Sequence, residues 1–208
     1  MSRKILEGSA LLSPVPPALV TCGTLEKPNI LTVAWTGVIN SKPPKTYVSI
    51  RPERYSHELI EQSGELVINL STADLVRAVD FCGVRSGRTT DKFSECNLHA
   101  VASSAVSAPT LEESPLSLEC KVFDKIHFES HDLFLLDVVA VSVKDELFDE
   151  NGRMALEKCG LLAYAHGEYY LLGKKLGSFG FSVKKRKKDP SKMAYPMPTR
   201  PHRSSAKK

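Results

Sequence analysis

The chain has no apolar run approaching the ~20 residues that cross a bilayer, so no membrane-spanning helix is expected. Its N-terminus, MSRKILEGSALLSPVPP, has only short apolar pieces broken by Glu7, Gly8 and three prolines, and does not read as a secretory signal. Cysteine is scarce and scattered: Cys22, Cys82, Cys96, Cys120 and Cys159 are an odd set with no C-x-x-C. That argues against a disulfide framework and against a zinc site, and points to a reducing cytoplasm. No G-x-G-x-x-G follows a strand and no G-x-x-x-x-G-K-[ST] is present, which disfavours a Rossmann domain or a P-loop. G-x-S-x-G, H-E-x-x-H and a convincing Cys–His pair are missing too, and no internal repeat is found. What is present is ordinary for a globular chain: 208 residues, 42% hydrophobic and 25% charged. That length makes one domain, or a domain with an appended segment, and can bury enough surface to fold without a metal or disulfide.

Charge is divided unevenly. From Lys184 to Lys208 there are ten Lys or Arg and one acid, Asp189, giving +9. The remaining 183 residues carry 18 basic and 23 acidic side chains, a balance of −5. The last stretch also holds Pro190, Pro196, Pro198 and Pro201 and shows no hydrophobic periodicity. It cannot bury enough apolar surface to offset its ordering entropy. Residues 1–183 therefore read as a weakly acidic folded domain and 184–208 as a mobile basic extension. KKRKK can attract a phosphate polymer, but a solvated tail that aids solubility is the plainer account. Aromatic platforms for stacking single-stranded bases are nearly absent there, so nucleic acid is not expected as a partner.

Strand signals dominate. Ala18–Thr24 and Ile30–Thr36 are rich in Val, Ile, Leu and Thr between Pro and Gly punctuation, and Lys45–Arg51 follows Pro43-Pro44. A helix is predicted over Ser56–Gln62, with Ser56 as N-cap and Gly64 as its stop. Glu65–Leu70 reads as a strand, and Ser71 with Asp74 as a capping box opening a helix through Val79. Leu116–Glu129 and Leu133–Val143 form a long strand pair; Asn151-Gly152 is a strong hairpin signal. Leu161–Tyr164 and Glu168–Leu172 make a last hairpin about His166-Gly167. At least seven short strands and two or three short helices predict a mainly β protein, a closed antiparallel barrel.

The informative chemistry lies between residues 29 and 92. In NILTVAWTG, alternation sets Thr32, Ala34 and Thr36 on one face and Leu31, Val33 and Trp35 on the other. In SIRPERYSHELI a strand ends and a helix begins, and a helix N-terminus attracts anions. Arg51, Arg54, Tyr55 and Ser56 flank it, and the loop CGVRSGRTTDKF offers Arg85, Ser86, Gly87, Arg88 and Lys92 as further donors. A plainer account stands beside this one: Ser56 is only a cap, and the arginines pair with Glu53, Glu58 and Glu61.

The runs NILTVAWTG, KPPKTYVSIRPERYSHELI, GELVINLSTADLV and DFCGVRSGRTTDKF together resemble the flavin reductase-like, FMN-binding split-barrel family, and within it the flavoredoxin branch. The terminal GEYYLLGKKLGSFGFSVKK looks like that branch as well, so the resemblance covers residues 10–185. It implies a Greek-key split β-barrel that forms a homodimer and binds FMN non-covalently near the subunit interface. By motif match, Ala34, Trp35 and Thr36 would meet the isoalloxazine ring, and Ser49, Ile50 and Arg51 would lie along the ring and ribityl chain. Tyr55, Ser56, Ser86 and Lys92 would gather at the phosphate, with Arg54 a lesser contributor, and Cys82 and Gly87 would shape the closing loop.

A flavin carries the redox chemistry itself, which fits the lack of an acid–base constellation. The resemblance implies an oxidoreductase passing electrons from NADH or NADPH through FMN to a flavin, a ferric chelate or a protein acceptor. The alternative is an FMN-binding electron carrier reduced by a partner protein. A third reading makes the tail the point, with the barrel tethered by it to nucleic acid. Among the histidines, His127, His131 and His166 are candidates to reach the ring from the barrel rim, against a surface role for each. Trp35 either stacks by the ring or packs inside the barrel. Cys82 is either a thiol activated by Arg85 or the helix end, or simply core packing.

Overall fold

A computed structural model describes residues 2–184. The chain divides into two units, Met1–Gly173 and Lys174–Lys208. In chain order the first unit contains β1 (Ala18–Gly23), β2 (Pro28–Val33), β3 (Thr36–Ser41), β4 (Pro44–Ile50), α1 (Tyr55–Ser63) and β5 (Glu65–Asn69). Then come α2 (Val76–Val84), α3 (Lys92–Cys96), β6 (Ala100–Val101), β7 (Thr110–Leu111), β8 (Leu116–His127), β9 (Asp132–Val143), β10 (Leu162–Ala165) and β11 (Glu168–Leu171). Seven strands form one antiparallel sheet in the order β2-β1-β5-β8-β9-β4-β3. Among the described residues no helix is long and apolar enough to cross a membrane.

The sheet rolls around one apolar core and presents its outside to a second. Val20, Leu31, Val33, Val48, Leu66, Ile68, Phe134 and Leu136 fill the interior, joined by Ile60 of α1. Leu19, Ile30, Val79, Cys82, Phe93 and Leu162 form the second core, where α2 and α3 cover β1 and β2. Neighbours Leu19 and Val20 thus serve opposite cores, as do Ile30 and Leu31. A strand buried on both faces reads as a continuous apolar run, which is why β1 and β2 show little polar alternation. The sheet's end strands, β2 and β3, are joined by Ala34-Trp35, and the Ser49 amide donates to the Trp35 carbonyl at 2.9 Å. This junction at the seam of the barrel is where the cleft forms.

Four local expectations are corrected. The strand expected to run through Thr36 stops at Val33, so Trp35 leaves the inward face and is 46% exposed rather than packed inside. Residue Arg54, not Ser56, is the N-cap of α1; Gly64 ends the helix in the left-handed region as expected. Ser71 and Asp74 form no capping box: Thr72 precedes a 3-10 turn, Ala73–Leu75, with no side-chain cap bond. Asn151-Gly152 sits in a local turn, where the amides of Asn151 and Arg153 donate to the Asp149 carboxylate at 2.9 Å, and beyond it Phe148 and Met154 make an isolated bridge instead of paired strands. One helix was not expected at all: α3 is opened by Asp91, whose carboxylate accepts from the amides of Phe93 and Ser94 at 3.1 and 3.2 Å.

The second unit, as far as Lys184, is irregular. Its turns are closed by Phe181 N–H to Ser178 and Val183 N–H to Gly180, with the Phe181 ring folded against Gly177. Lys184 excepted, the basic extension expected over 184–208 lies outside the described residues.

Candidate functional site

Two adjoining cavities, of about 360 and about 310 Å³, share Leu31, Thr32, Arg54 and Gly83 and so make one cleft. The larger is walled by Ala34 and Trp35 from the seam, by Ser49, Ile50 and Arg51 from the end of β4, and by His131. The smaller gathers Tyr55 and Ser56 from the first turn of α1, Cys82 from α2, Ser86 and Gly87 from the following loop, and Lys92 from α3. Twelve of the thirteen residues singled out in the sequence therefore line the cleft. Thr36 lines neither cavity; its hydroxyl donates to the Tyr47 carbonyl at 2.6 Å across the β3–β4 pair.

The smaller cavity is built to receive negative charge. Lys92 is 4% exposed, and its ammonium donates to the carbonyls of Cys82 and Arg85, both at 3.3 Å. Among the described residues no carboxylate pairs with it, and its third N–H has no protein acceptor. Burial pulls the Lys92 pKa down, although the nearby Cys82 and Cys22 thiols act in the other direction. Ser56 is buried, and its oxygen accepts from the Asn29 amide at 2.6 Å, which leaves its own hydrogen to be donated, either to the neighbouring Cys22 sulfur or into the cavity. The first turn of α1 adds backbone N–H groups that no side chain caps. Arg54, given the smaller part in the sequence reading, stands where the two cavities meet and makes no ion pair among the described residues.

Some of the plainer account also holds. Arg51 lies 3.7 Å from Glu53, and Arg88 pairs with Glu58 at 2.8 Å while lying over the Tyr55 ring. Burial pushes the Cys82 thiol up to about 12, so at neutral pH it is an unreactive packed group. Of the three rim histidines, only His131 lines the cleft, where its ring meets Trp35 at 4.5 Å between centroids. Burial and the charge of Arg51 lower its pKa, which favours the neutral ring. His127 instead bonds Asp132, and His166 occupies the β10–β11 turn at φ 52°.

Asn29, Asp80, Tyr164 and Tyr169 were not anticipated. Asp80 on α2 accepts from the Tyr169 hydroxyl at 3.3 Å, and with Tyr164 these residues close the wall of the larger cavity. The β10–β11 hairpin is brought there by paired backbone bonds between Val15 and Tyr164. Asn29 had a signal, an amide side chain at the head of the run ILTVA. The others are united only by long-range folding.

A mainly antiparallel split barrel with a seam cleft, apolar and aromatic at one end and cationic at the other, defines the class. The match of residues 11–173 to the model of the flavin reductase like domain places the chain in that family. Flavoredoxin of Desulfovibrio vulgaris (Miyazaki F) superposes with a TM-score of 0.81 at 30% identity, over 88% of this chain and all (100%) of that one. An FMN-binding protein from Thermus thermophilus gives 0.71 at 28% identity, over 86% and 97% of the two chains. An uncharacterized protein of Pyrococcus abyssi is 31% identical over 144 residues, 69% of this chain and 83% of its own.

Proposed function

We propose that the cleft holds FMN, with the phosphate in the smaller cavity and the isoalloxazine in the larger, and that the protein is a flavin-dependent oxidoreductase. The observation that carries this reading is Lys92: a buried ammonium that no carboxylate among the described residues pairs with, facing the same cavity as Ser56 and the uncapped turn of α1. An unpaired charge is costly to bury, so a site that keeps one is fitted to a ligand of opposite sign. A phosphate monoester also matches the donor set of ammonium, hydroxyl and backbone N–H. When bound, the flavin supplies hydride and single-electron transfer. The protein's part is to bind and orient it: Arg54 sits between the two ends, and Trp35 and His131 give the larger cavity a flat wall.

In this reading the donor is reduced nicotinamide nucleotide and the acceptor a flavin, a ferric chelate or a protein. The larger cavity's aromatic lining from Trp35, Tyr164 and Tyr169 supports docking of a second planar molecule. The protein would act as a homodimer in a reducing cytoplasm, its five thiols being free. The decisive experiment reconstitutes the protein with FMN and mixes it anaerobically with NADH and with NADPH. Bleaching of the bound flavin band with either is expected. No bleaching with either, but reduction by a ferredoxin-like donor, would instead make it an electron carrier. Failure to retain FMN at all would end the proposal.

A further inference from the structure

The first turn of α1 is held by directional bonds to two distant strands. From β2, Asn29 donates to Ser56. One residue on, the buried His57 ring donates from Nε2 to Oδ2 of Asp132 at 2.7 Å. Asp132 opens β9, is itself buried, and pairs across the sheet with Ile50, the last residue of β4. Its other oxygen accepts from His127 Nδ1 at 2.6 Å, and the Lys125 ammonium lies 3.5 Å from Oδ2. Lys125 also pairs with Glu61 on α1, and the His57 ring sets its edge against Phe134 with centroids 5.1 Å apart.

Apolar packing already anchors the helix through the fully buried Ile60, but such packing has no direction. A charge-assisted hydrogen bond does, and it fixes rotation and height about the contact. The turn so fixed carries Ser56 and the N–H groups that face the smaller cavity. We infer that Asp132 and His57 are positioning residues: their bond sets the first turn of α1 so that its donors converge on the phosphate of the ligand. The inference rests on the FMN reading above and concerns the phosphate end alone.

FMN and riboflavin differ only by the phosphate, so fluorescence titration of the full chain with both isolates that end. Replacing His57 by Leu removes the donor to Asp132 and is expected to weaken FMN about ten-fold while leaving riboflavin unchanged. His57→Gln, whose amide can donate to the same oxygen, is expected to recover most of the loss. A His57→Leu protein with the wild-type ratio of FMN to riboflavin affinity overturns the inference. Equal weakening of both ligands, or no recovery with Gln, overturns it too, because either result marks a general packing role. If His57→Leu does not fold, Asp132→Asn takes its place. It leaves one acceptor oxygen for two histidines, so the ratio should fall at least about three-fold, and an unchanged ratio is again fatal. A wild-type protein that does not prefer FMN to riboflavin refutes the phosphate site itself, a result distinct from variants that keep a preference the wild type has.

Discussion

Lys92 and Gly87 show how much of the site is decided by single groups. With a buried ammonium and no counter-charge, Lys92→Met is expected to weaken FMN ten-fold or more and riboflavin hardly at all, by the same titration. Gly87 has no φ that demands glycine; what excludes a side chain is proximity. A Cβ there would stand 1.9 Å from Asn29 Oδ1 and 3.2 Å from the Tyr55 ring. Gly87→Ala must therefore turn Asn29 away from Ser56, and FMN affinity is expected to fall several-fold in the same titration, with a lower unfolding temperature from the broken buried bond. For Asp132, burial alone would raise the carboxyl, but hydrogen bonds from His57 and then His127, with the charge of Lys125, hold it below the ordinary value of 3.8. Glu61, close to both His57 and Lys125, is a second carboxylate of this group. Because the folded pKa is depressed, the unfolded chain binds the proton first. The stabilisation is complete above the unfolded value and is lost as pH falls through the folded one. Urea unfolding should show wild type more stable than Asp132→Asn by a larger margin at pH 5 than at pH 3.

At the scale of elements, local pattern was legible wherever local forces decide. The strands β1, β4, β5, β8 and β9, the β10–β11 hairpin and the body of α1 all follow from apolar runs, Pro and Gly. Misreadings arose where a distant partner takes over. Ser56 has the chemistry of an N-cap, yet Asn29, 27 residues away, engages its hydroxyl, and the helix begins one residue earlier. The strand read over Ile30–Thr36 overruns β2, and β3 goes unread, because Ala34-Trp35 carries no turn residue; the break is imposed by closure of the seam against Ser49. α3 is only five residues long, too short for periodicity, although Asp91 before it was a readable cap. The cleft was legible on the same terms: its cationic end is clustered in sequence, while Asp80 arrives from α2 and Tyr164 and Tyr169 from the distant β10–β11 hairpin. Gly64 has φ 67° and returns its N–H to Ile60 at 2.8 Å. Open space surrounds its missing side chain. Gly64→Ala should therefore cost only the left-handed strain, about 1 kcal/mol in urea unfolding, and leave the FMN affinity untouched.

For the whole molecule, the two edges of the seven-stranded sheet have different fates. At one edge β2 lies under α2 and α3, which satisfy the need to cover it. At the other, β3 ends the sheet with Val38 84% exposed and Ile39 beside it half exposed, and among the described residues no element pairs its outer edge. Phe123 and Ile126 of β8 are exposed as well, and Phe128 follows them. An open edge with apolar side chains is a template for further association, and isolated proteins of this size seldom leave one bare. A second copy of the chain is the occupant we propose, since closed two-fold pairing is the commonest way to cover such a surface without forming filaments. Light scattering should then give twice the 22.9 kDa chain mass, and Val38→Lys, placed on the open edge, should shift it toward one. A wild-type mass of a single chain across the micromolar range would rule the dimer out. The cleft stands by its own residues in either case, because every donor assigned to the phosphate comes from one copy. A monomeric Val38→Lys protein is therefore expected to keep its phosphate-dependent preference for FMN over riboflavin, even where total flavin affinity falls.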